Sequence, residues 1–146
     1  MTEEIPGLPV LLFIAQRAVE SRVVAAVQAA GHTELTLALG RVAARIGPAG
    51  TRLTELAEQA QVAKQTVTAA VDRLERLGYV ERVPDPTDAR ARLVRLAPLG
   101  EQVVAIARVE EAAVLAEWTR HLGARRMAQL CDILRSLREI ADPYGP

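Results

Sequence analysis

Hydrogen-bonding and cationic side chains recur on one predicted helical face between residues 63 and 77 of this 146-residue sequence. Lys64 and Gln65 lie at the start of that face, whereas Arg73 and Arg76 lie further along it. Amide and hydroxyl groups can hydrogen-bond to the edges of bases, and guanidinium groups can pair with phosphates. The pattern therefore suits a helix that contacts a nucleic acid, although a solvated helix surface carries the same residue types.

A second group of basic residues follows in the stretch YVERVPDPTDARARLVRL. β-forming and charged residues are interleaved in residues 79–83 and again in 93–96, which predicts two half-exposed strands of a hairpin. We interpret residues 84–92 as a connection longer than a tight turn, stiffened by two prolines. Within it, Asp85 and Asp88 can accept hydrogen bonds from the nearby backbone. The hairpin would therefore present a stiff, basic tip.

The charge of the chain has to be considered segment by segment. Eighteen basic and 18 acidic residues give a formal net charge of zero, which argues against a general binder of polyanions. Residues 64–95 contain seven basic and five acidic residues, so this segment alone has a small basic excess. Any anion-binding surface should therefore be local.

Composition and length exclude several classes of protein. Half of the residues are apolar and only 3% are aromatic, which favours a mostly helical single domain over residues 1–146. No apolar run reaches the ~18 residues of a membrane span, and the start lacks the basic segment of a signal peptide, so we expect a cytoplasmic protein without membrane contact. One cysteine and two histidines leave no internal disulfide and no standard zinc site, and no cofactor is expected.

Hydrophobic periodicity predicts six helices around the hairpin. Two short ones, at residues 55–60 and 63–77, are joined by a tight turn and directly precede the hairpin, an order typical of a winged helix-turn-helix. The other helices are predicted over residues 9–30, 37–46, 98–121 and 125–140, with N-caps at Thr36 and at Thr51 or Thr54, and glycine stops at Gly31, Gly78 and Gly123. The expected buried face of the two short helices comprises Leu56, Ala57, Val62, Val67, Ala70, Val71 and Leu74.

The stretch LTELAEQAQVAKQTVTAAVDRLERLGYVERVPDPTDARARLVRLAPLG resembles the MarR family of bacterial transcriptional regulators. That family carries here an ELA helix, a Ser/Thr-Val-Thr recognition helix ending D-R-L-E-x-x-G-Y/L-V-x-R, and a D-P-x-D-x-R wing. The resemblance implies a mainly α fold with a small β-hairpin wing, in which a winged helix-turn-helix at residues 33–97 is flanked by N- and C-terminal dimerisation helices at residues 8–31 and 98–142.

The resemblance also implies how DNA is contacted. The helix at residues 63–77 would read the major groove, while Arg90 enters the minor groove and Asp88 helps to orient it. Ala69 and Ala89 stand where arginine is frequent in the family, so the set of DNA contacts is lighter than usual. The expected DNA-binding residues are Lys64, Gln65, Thr66, Thr68, Ala69, Arg73, Asp88, Arg90 and Arg92.

A homodimer that binds an inverted-repeat operator is a further implication. It agrees with an apolar stripe on the last predicted helix, which a single small winged domain could not cover, although an intramolecular bundle is the alternative. Cys131 lies on this stripe, so we interpret it as a packed thiol rather than a redox sensor. The stripe comprises Met127, Leu130, Cys131, Leu134, Leu137 and Ile140.

A small aromatic or apolar effector is the last implied partner. Gly40 stands where the family usually has a large aromatic side chain, and its absence predicts an apolar space lined by Phe13, with Arg17 or Arg41 available to a ligand carboxylate. The alternatives are that another side chain fills the space or that Gly40 permits close helix packing.

Two functions follow from these features. The first is a ligand-responsive repressor that binds a pseudo-palindromic operator as a homodimer. The second is a winged-helix protein-interaction module with weak or lost DNA binding. No enzyme is expected, because neither a glycine-rich phosphate loop nor a nucleophile with a histidine partner is evident.

Overall fold

The computed structural model describes residues 5–142 and residue 144. These residues form six helices and a three-stranded antiparallel sheet, which confirms the mainly α fold with a small β wing. They divide into two compact units, one through Arg108 and the other from Val109 onwards. Among the described helices, none combines the length and the apolar character that a membrane span requires. The elements are α1 Leu8–Ala29, α2 Leu37–Ala43, β1 Thr51–Arg52, α3 Leu53–Ala60, α4 Lys64–Arg76, β2 Val80–Asp85, β3 Asp88–Leu96, α5 Pro98–Leu122 and α6 Ala124–Ala141.

Most helix ends lie where local sequence signals predicted them. The Thr36 hydroxyl accepts a hydrogen bond from the Leu39 amide at 3.3 Å and so caps α2. Gly31 and Gly78, which follow α1 and α4, have φ angles of +105° and +83° that favour glycine. α2 ends at Ala43 and is therefore shorter than predicted.

The predicted cap of α3 was wrong. Thr51 belongs to β1, where its hydroxyl accepts a hydrogen bond from the Gly47 amide at 2.9 Å, and Thr54 lies inside the helix. Arg52 occupies the N-cap position of α3 without a capping side-chain bond. β1 was not predicted, because two residues are too few to show a strand period. The sheet order is β1-β3-β2, so β3 is central.

The wing is also more regular than the sequence indicated. β2 extends through Asp85 and β3 begins at Asp88, so the predicted long connection is a two-residue turn. Pro84 pairs with Arg92, and the next residue, Asp85, pairs with Asp88. An advance of one residue along β2 is therefore opposed by four residues along β3. Residues 89–91 therefore form a bulge in β3. Pro84 is tolerated because β2 is an edge strand.

The core of the first unit fixes which face of α4 remains outside. The largest fully buried side chains come from α3, α4 and β3. Val62, which we expected to be buried, is 41% exposed, because it follows the left-handed Gln61 and has left the helical period of α3. The largest fully buried side chains of α3, α4 and β3 are Leu56, Leu74, Val67, Val71 and Val94.

Candidate nucleic-acid interface

One face of α4 is free of the core. Its opposite face is anchored by Val67 and Val71, which are completely buried. The predicted contact residue Thr68 is half-buried, and its hydroxyl donates to the Lys64 carbonyl at 2.8 Å. That hydroxyl can still accept a hydrogen bond from a ligand. The other predicted contact residues at the start of α4, namely Lys64, Gln65, Thr66 and Ala69, are exposed.

Several cations near this face already have partners. Arg73 of α4 lies 2.5 Å from the carboxylate of Glu34, in the segment between α1 and α2. Arg82 of β2 pairs at 2.6 Å with Asp72 and also pairs with Glu75. Arg73 was predicted as a DNA contact, but to reach a phosphate it must first leave Glu34. Glu34 carried no sequence signal for this role, because 39 residues separate it from Arg73.

Four cations of the same region remain available. In the part of the chain that the structure describes, Lys64, Arg76, Arg90 and Arg92 form no ion pair. All four side chains are exposed. Within this region of the chain, the cations that are free to bind an anion therefore lie on α4 and on the wing.

The wing tip holds Arg90 within the bulge. The Asp88 carboxylate accepts a hydrogen bond from the Arg90 backbone amide at 3.0 Å. Asp88 thus orders the backbone that carries Arg90, and the guanidinium group stays unpaired among the described residues. A bulge can redirect a side chain out of the regular strand alternation, which suits a side chain that must reach a partner.

Asp85 connects the end of β2 to the start of α3. One of its oxygens accepts bonds from the Thr87 amide at 2.8 Å and the Thr87 hydroxyl at 2.7 Å. The other lies 2.8 Å from Nε and 2.6 Å from a terminal nitrogen of Arg52. The hydrogen bonds from Thr87 and then from Arg52 lower the pKa of Asp85 to about 2. Sequence reasoning predicted the turn at Asp85 but missed Arg52.

The candidate effector residues form two local pairs. Arg17 places its guanidinium carbon 5.7 Å from the centre of the Phe13 ring, which is 56% exposed as a residue. Arg41 donates two hydrogen bonds to Glu20, at 3.0 and 2.9 Å, and this pairing lowers the pKa of Glu20. A Cβ atom on Gly40 would meet nothing within 4 Å among the described residues, so close packing does not explain this glycine.

Part of the apolar stripe on α6 remains uncovered in the single chain. Met127 is buried, and Cys131 is a half-buried thiol. Further along, Leu134 and Leu137 are about half exposed, at 45% and 46%, and Ile140 is 85% exposed. Apolar side chains at the start of α1, including Leu8 and Phe13, are exposed as well. Exposed apolar side chains that are grouped on one helix in this way usually mark an interaction surface.

Comparison with known proteins gives this geometry a context. Residues 35–91 match the model of the MarR family. The HTH-type transcriptional regulator BilQ of Clostridioides difficile (strain CD3) is 29% identical over 70 residues. That match covers 48% of this chain and 45% of BilQ, so it spans less than half of the relative.

Solved structures extend the likeness to nearly the whole chain. A crystal structure of MarR has a TM-score of 0.75 and 28% identity, covering 94% of this chain and 98% of that one. NadR in complex with 4-hydroxyphenylacetate has a TM-score of 0.70 over 96% and 98% of the two chains. At 22% identity, NadR shows a likeness of fold alone. Together, the family match and these folds confirm the resemblance found in the sequence.

Proposed function

We propose that this chain, whose residues 35–91 match the model of the MarR family, is a DNA-binding transcriptional regulator of that family. More specifically, we propose a repressor that binds an inverted-repeat operator as a homodimer. The observation that supports this most is that four exposed cations, which form no ion pair with any described residue, lie on α4 and on the wing. Lys64 and Arg76 lie on the recognition helix, and Arg90 and Arg92 lie on the wing. These are the two elements that a winged helix places against DNA.

The two elements divide the work of recognition. The exposed amide and hydroxyl groups at the start of α4 suit base edges in the major groove, while Lys64 and Arg73 suit phosphates. Arg90 suits the minor groove, where a narrow groove concentrates negative potential and favours a guanidinium group. Asp88 holds the Arg90 backbone in place for that contact.

Removing the arginine at the wing tip tests this function. We expect Arg90→Ala to weaken binding to the operator by ~1–3 kcal/mol, because a specific groove contact is lost. Lys64→Ala should weaken binding to all sequences evenly and reduce the salt slope by about 1. Fluorescence anisotropy with DNA from upstream of the protein's own gene, and with a random duplex of equal length, measures both effects.

Arg135→Ala is the matched control, because Arg135 is an exposed arginine on α6 paired with Asp132 and should not affect DNA binding. Unchanged operator affinity of Arg90→Ala at both low and physiological salt would contradict the role of the wing. Absence of any DNA binding by the wild-type protein would instead favour the protein-interaction module. Ala69 and Ala89, which stand where arginine is frequent in the family, are the reason for considering that alternative.

We further propose that a small aromatic or apolar effector releases the DNA. The space at Gly40 supports this, as does the fold shared with NadR, which was crystallised with 4-hydroxyphenylacetate. Because Arg41 is already paired with Glu20, Arg17 is the more available partner for a carboxylate on this effector.

A further inference from the structure

The carboxylate of Asp85 is buried, and both of its oxygens accept hydrogen bonds. Its side chain is only 5% exposed, and four hydrogen-bond donors surround its two oxygens. Two donors come from Thr87, in the turn of the wing itself. The other two come from Arg52, which is 33 residues away in the sequence. Charge-assisted bonds of this kind are stronger and more directional than neutral ones.

Arg52 and Asp85 lie on the two outer strands of the sheet. Arg52 of β1 is paired with Leu93 of the central β3, and Leu93 is paired on its other side with Val83 of β2. Asp85 lies two residues beyond Val83, towards the tip. The Arg52 side chain therefore spans the central strand to reach Asp85, next to the bulge that holds Arg90.

The part of the wing between Asp85 and the tip has little other support from the sheet. β1 pairs with β3 only at Leu93 and Val94, so the hairpin towards the tip has two strands. Its ladder is irregular between Pro84 and Asp85. A two-stranded hairpin is only marginally stable on its own. Arg52 immediately precedes α3, so its bonds to Asp85 tie the tip to the body of the helix-turn-helix.

We propose that Arg52 is a positioning residue for DNA recognition: by holding Asp85, it fixes the wing relative to α3 and α4 and so places Arg90 in the minor groove. The inference rests on the proposed DNA binding. Arg52 need not touch DNA in this role. Its loss should therefore impair the contribution of Arg90 and leave the phosphate contacts of α4 intact.

A double-mutant cycle tests the coupling. Arg52→Met removes the guanidinium group and keeps the length of the side chain. We expect it to weaken operator binding about 10-fold and to leave binding to a random duplex within about 2-fold. The loss of operator affinity caused by Arg90→Ala should be smaller in this background than in the wild type. Arg95→Met is the matched control, because Arg95 lies in the same sheet and pairs with Glu81 on the exposed surface. The control should leave the cost of Arg90→Ala unchanged.

Two further variants keep the test decisive if Arg52→Met folds poorly. Arg52→Lys retains one charged donor for Asp85 and should restore part of the operator affinity. Asp85→Asn keeps an acceptor for Thr87 but turns an amide towards Arg52, and it should behave like Arg52→Met. Thermal unfolding of each variant shows whether it is folded.

The results separate this inference from the proposed function. If the wild type binds the operator and Arg90→Ala weakens it equally in all backgrounds, the positioning role is overturned. If Arg52→Met weakens both duplexes equally and lowers the salt slope by about 1, Arg52 is a phosphate contact instead. If the wild type binds no DNA, the proposed function itself is wrong.

Discussion

At the scale of single residues, the partners of a cation decide whether it is available to DNA. Arg73 lies on α4, the proposed recognition helix, yet its guanidinium group is 2.5 Å from Glu34. Both side chains are about half exposed, at 45% and 56%. Exposed ion pairs contribute little to stability, so this pair can be broken without unfolding the protein. If Arg73 contacts a phosphate, as we propose, the main consequence of this pair should be on DNA binding, because Glu34 would compete with the phosphate for Arg73.

Neutralising Glu34 should therefore strengthen DNA binding. We expect Glu34→Gln to bind a random duplex several-fold more tightly and to make the salt slope steeper by about 1, because one more cation is released to a phosphate. The affinity measured as a function of salt concentration gives both values. The same substitution in an Arg73→Ala background is the control, and it should leave the slope unchanged. An equal change of slope in both backgrounds would show that Glu34 acts by long-range repulsion and not through Arg73.

At the scale of elements, two glycines show opposite constraints. A Cβ atom on Gly100, in the first turn of α5, would lie 2.1 Å from the carbonyl oxygen of Tyr79. That oxygen also accepts a hydrogen bond from the Ala97 amide at 3.0 Å, so it cannot move away without cost. Gly40, in contrast, is a helical glycine whose Cβ would meet nothing within 4 Å among the described residues.

Alanine at these two positions should have effects of opposite sign. We expect Gly100→Ala to destabilise the protein by ~1–3 kcal/mol, because α5 must shift away from Tyr79. Gly40→Ala should stabilise it by ~0.5–1 kcal/mol, because alanine is the better helix former. Urea unfolding of both variants measures the free energies. A stabilised Gly100→Ala protein would refute the close approach of α5 to Tyr79.

The elements predicted correctly are those with local signals. Thr36 caps α2, and Gly31 and Gly78 follow helices in conformations that favour glycine, so short windows of sequence were sufficient. β1 has two residues and forms because it pairs with β3, so no local sequence pattern predicts it. The contact between Arg52 and Asp85 was missed for the same reason, since it depends on the register of the whole sheet.

At the scale of the whole molecule, the exposed apolar surface is the feature that a single chain does not explain. The stripe on α6 was predicted from its spacing, and the structure leaves its C-terminal part exposed, with Leu137 at 46% and Ile140 at 85%. Burial of apolar area is the main driving force for association of proteins. A second copy of the chain is the partner that we propose for this surface.

A charge within the stripe should prevent that association. We expect Leu137→Glu to shift the protein from dimer to monomer, because a carboxylate would lose its hydration in the interface. Operator affinity should then fall at least about 10-fold, because two half-sites are no longer bound together. Sedimentation velocity and anisotropy measure the two effects. Ser136→Glu adds the same charge at the adjacent exposed position and is the control. A monomeric Leu137→Glu protein with full operator affinity would contradict the dimeric mode of binding.

An effector can change DNA affinity only if it favours one conformation of the proposed dimer over another. The open space at Gly40 is the place where we expect a small aromatic or apolar molecule to do so. Gly40→Phe should fill that space, leave DNA binding intact and abolish release by a hydrophobic effector identified in a small-molecule screen. Gly40→Ala, which leaves most of the space free, should still release the DNA. Release from Gly40→Phe at the wild-type effector concentration would place the effector site elsewhere in the protein.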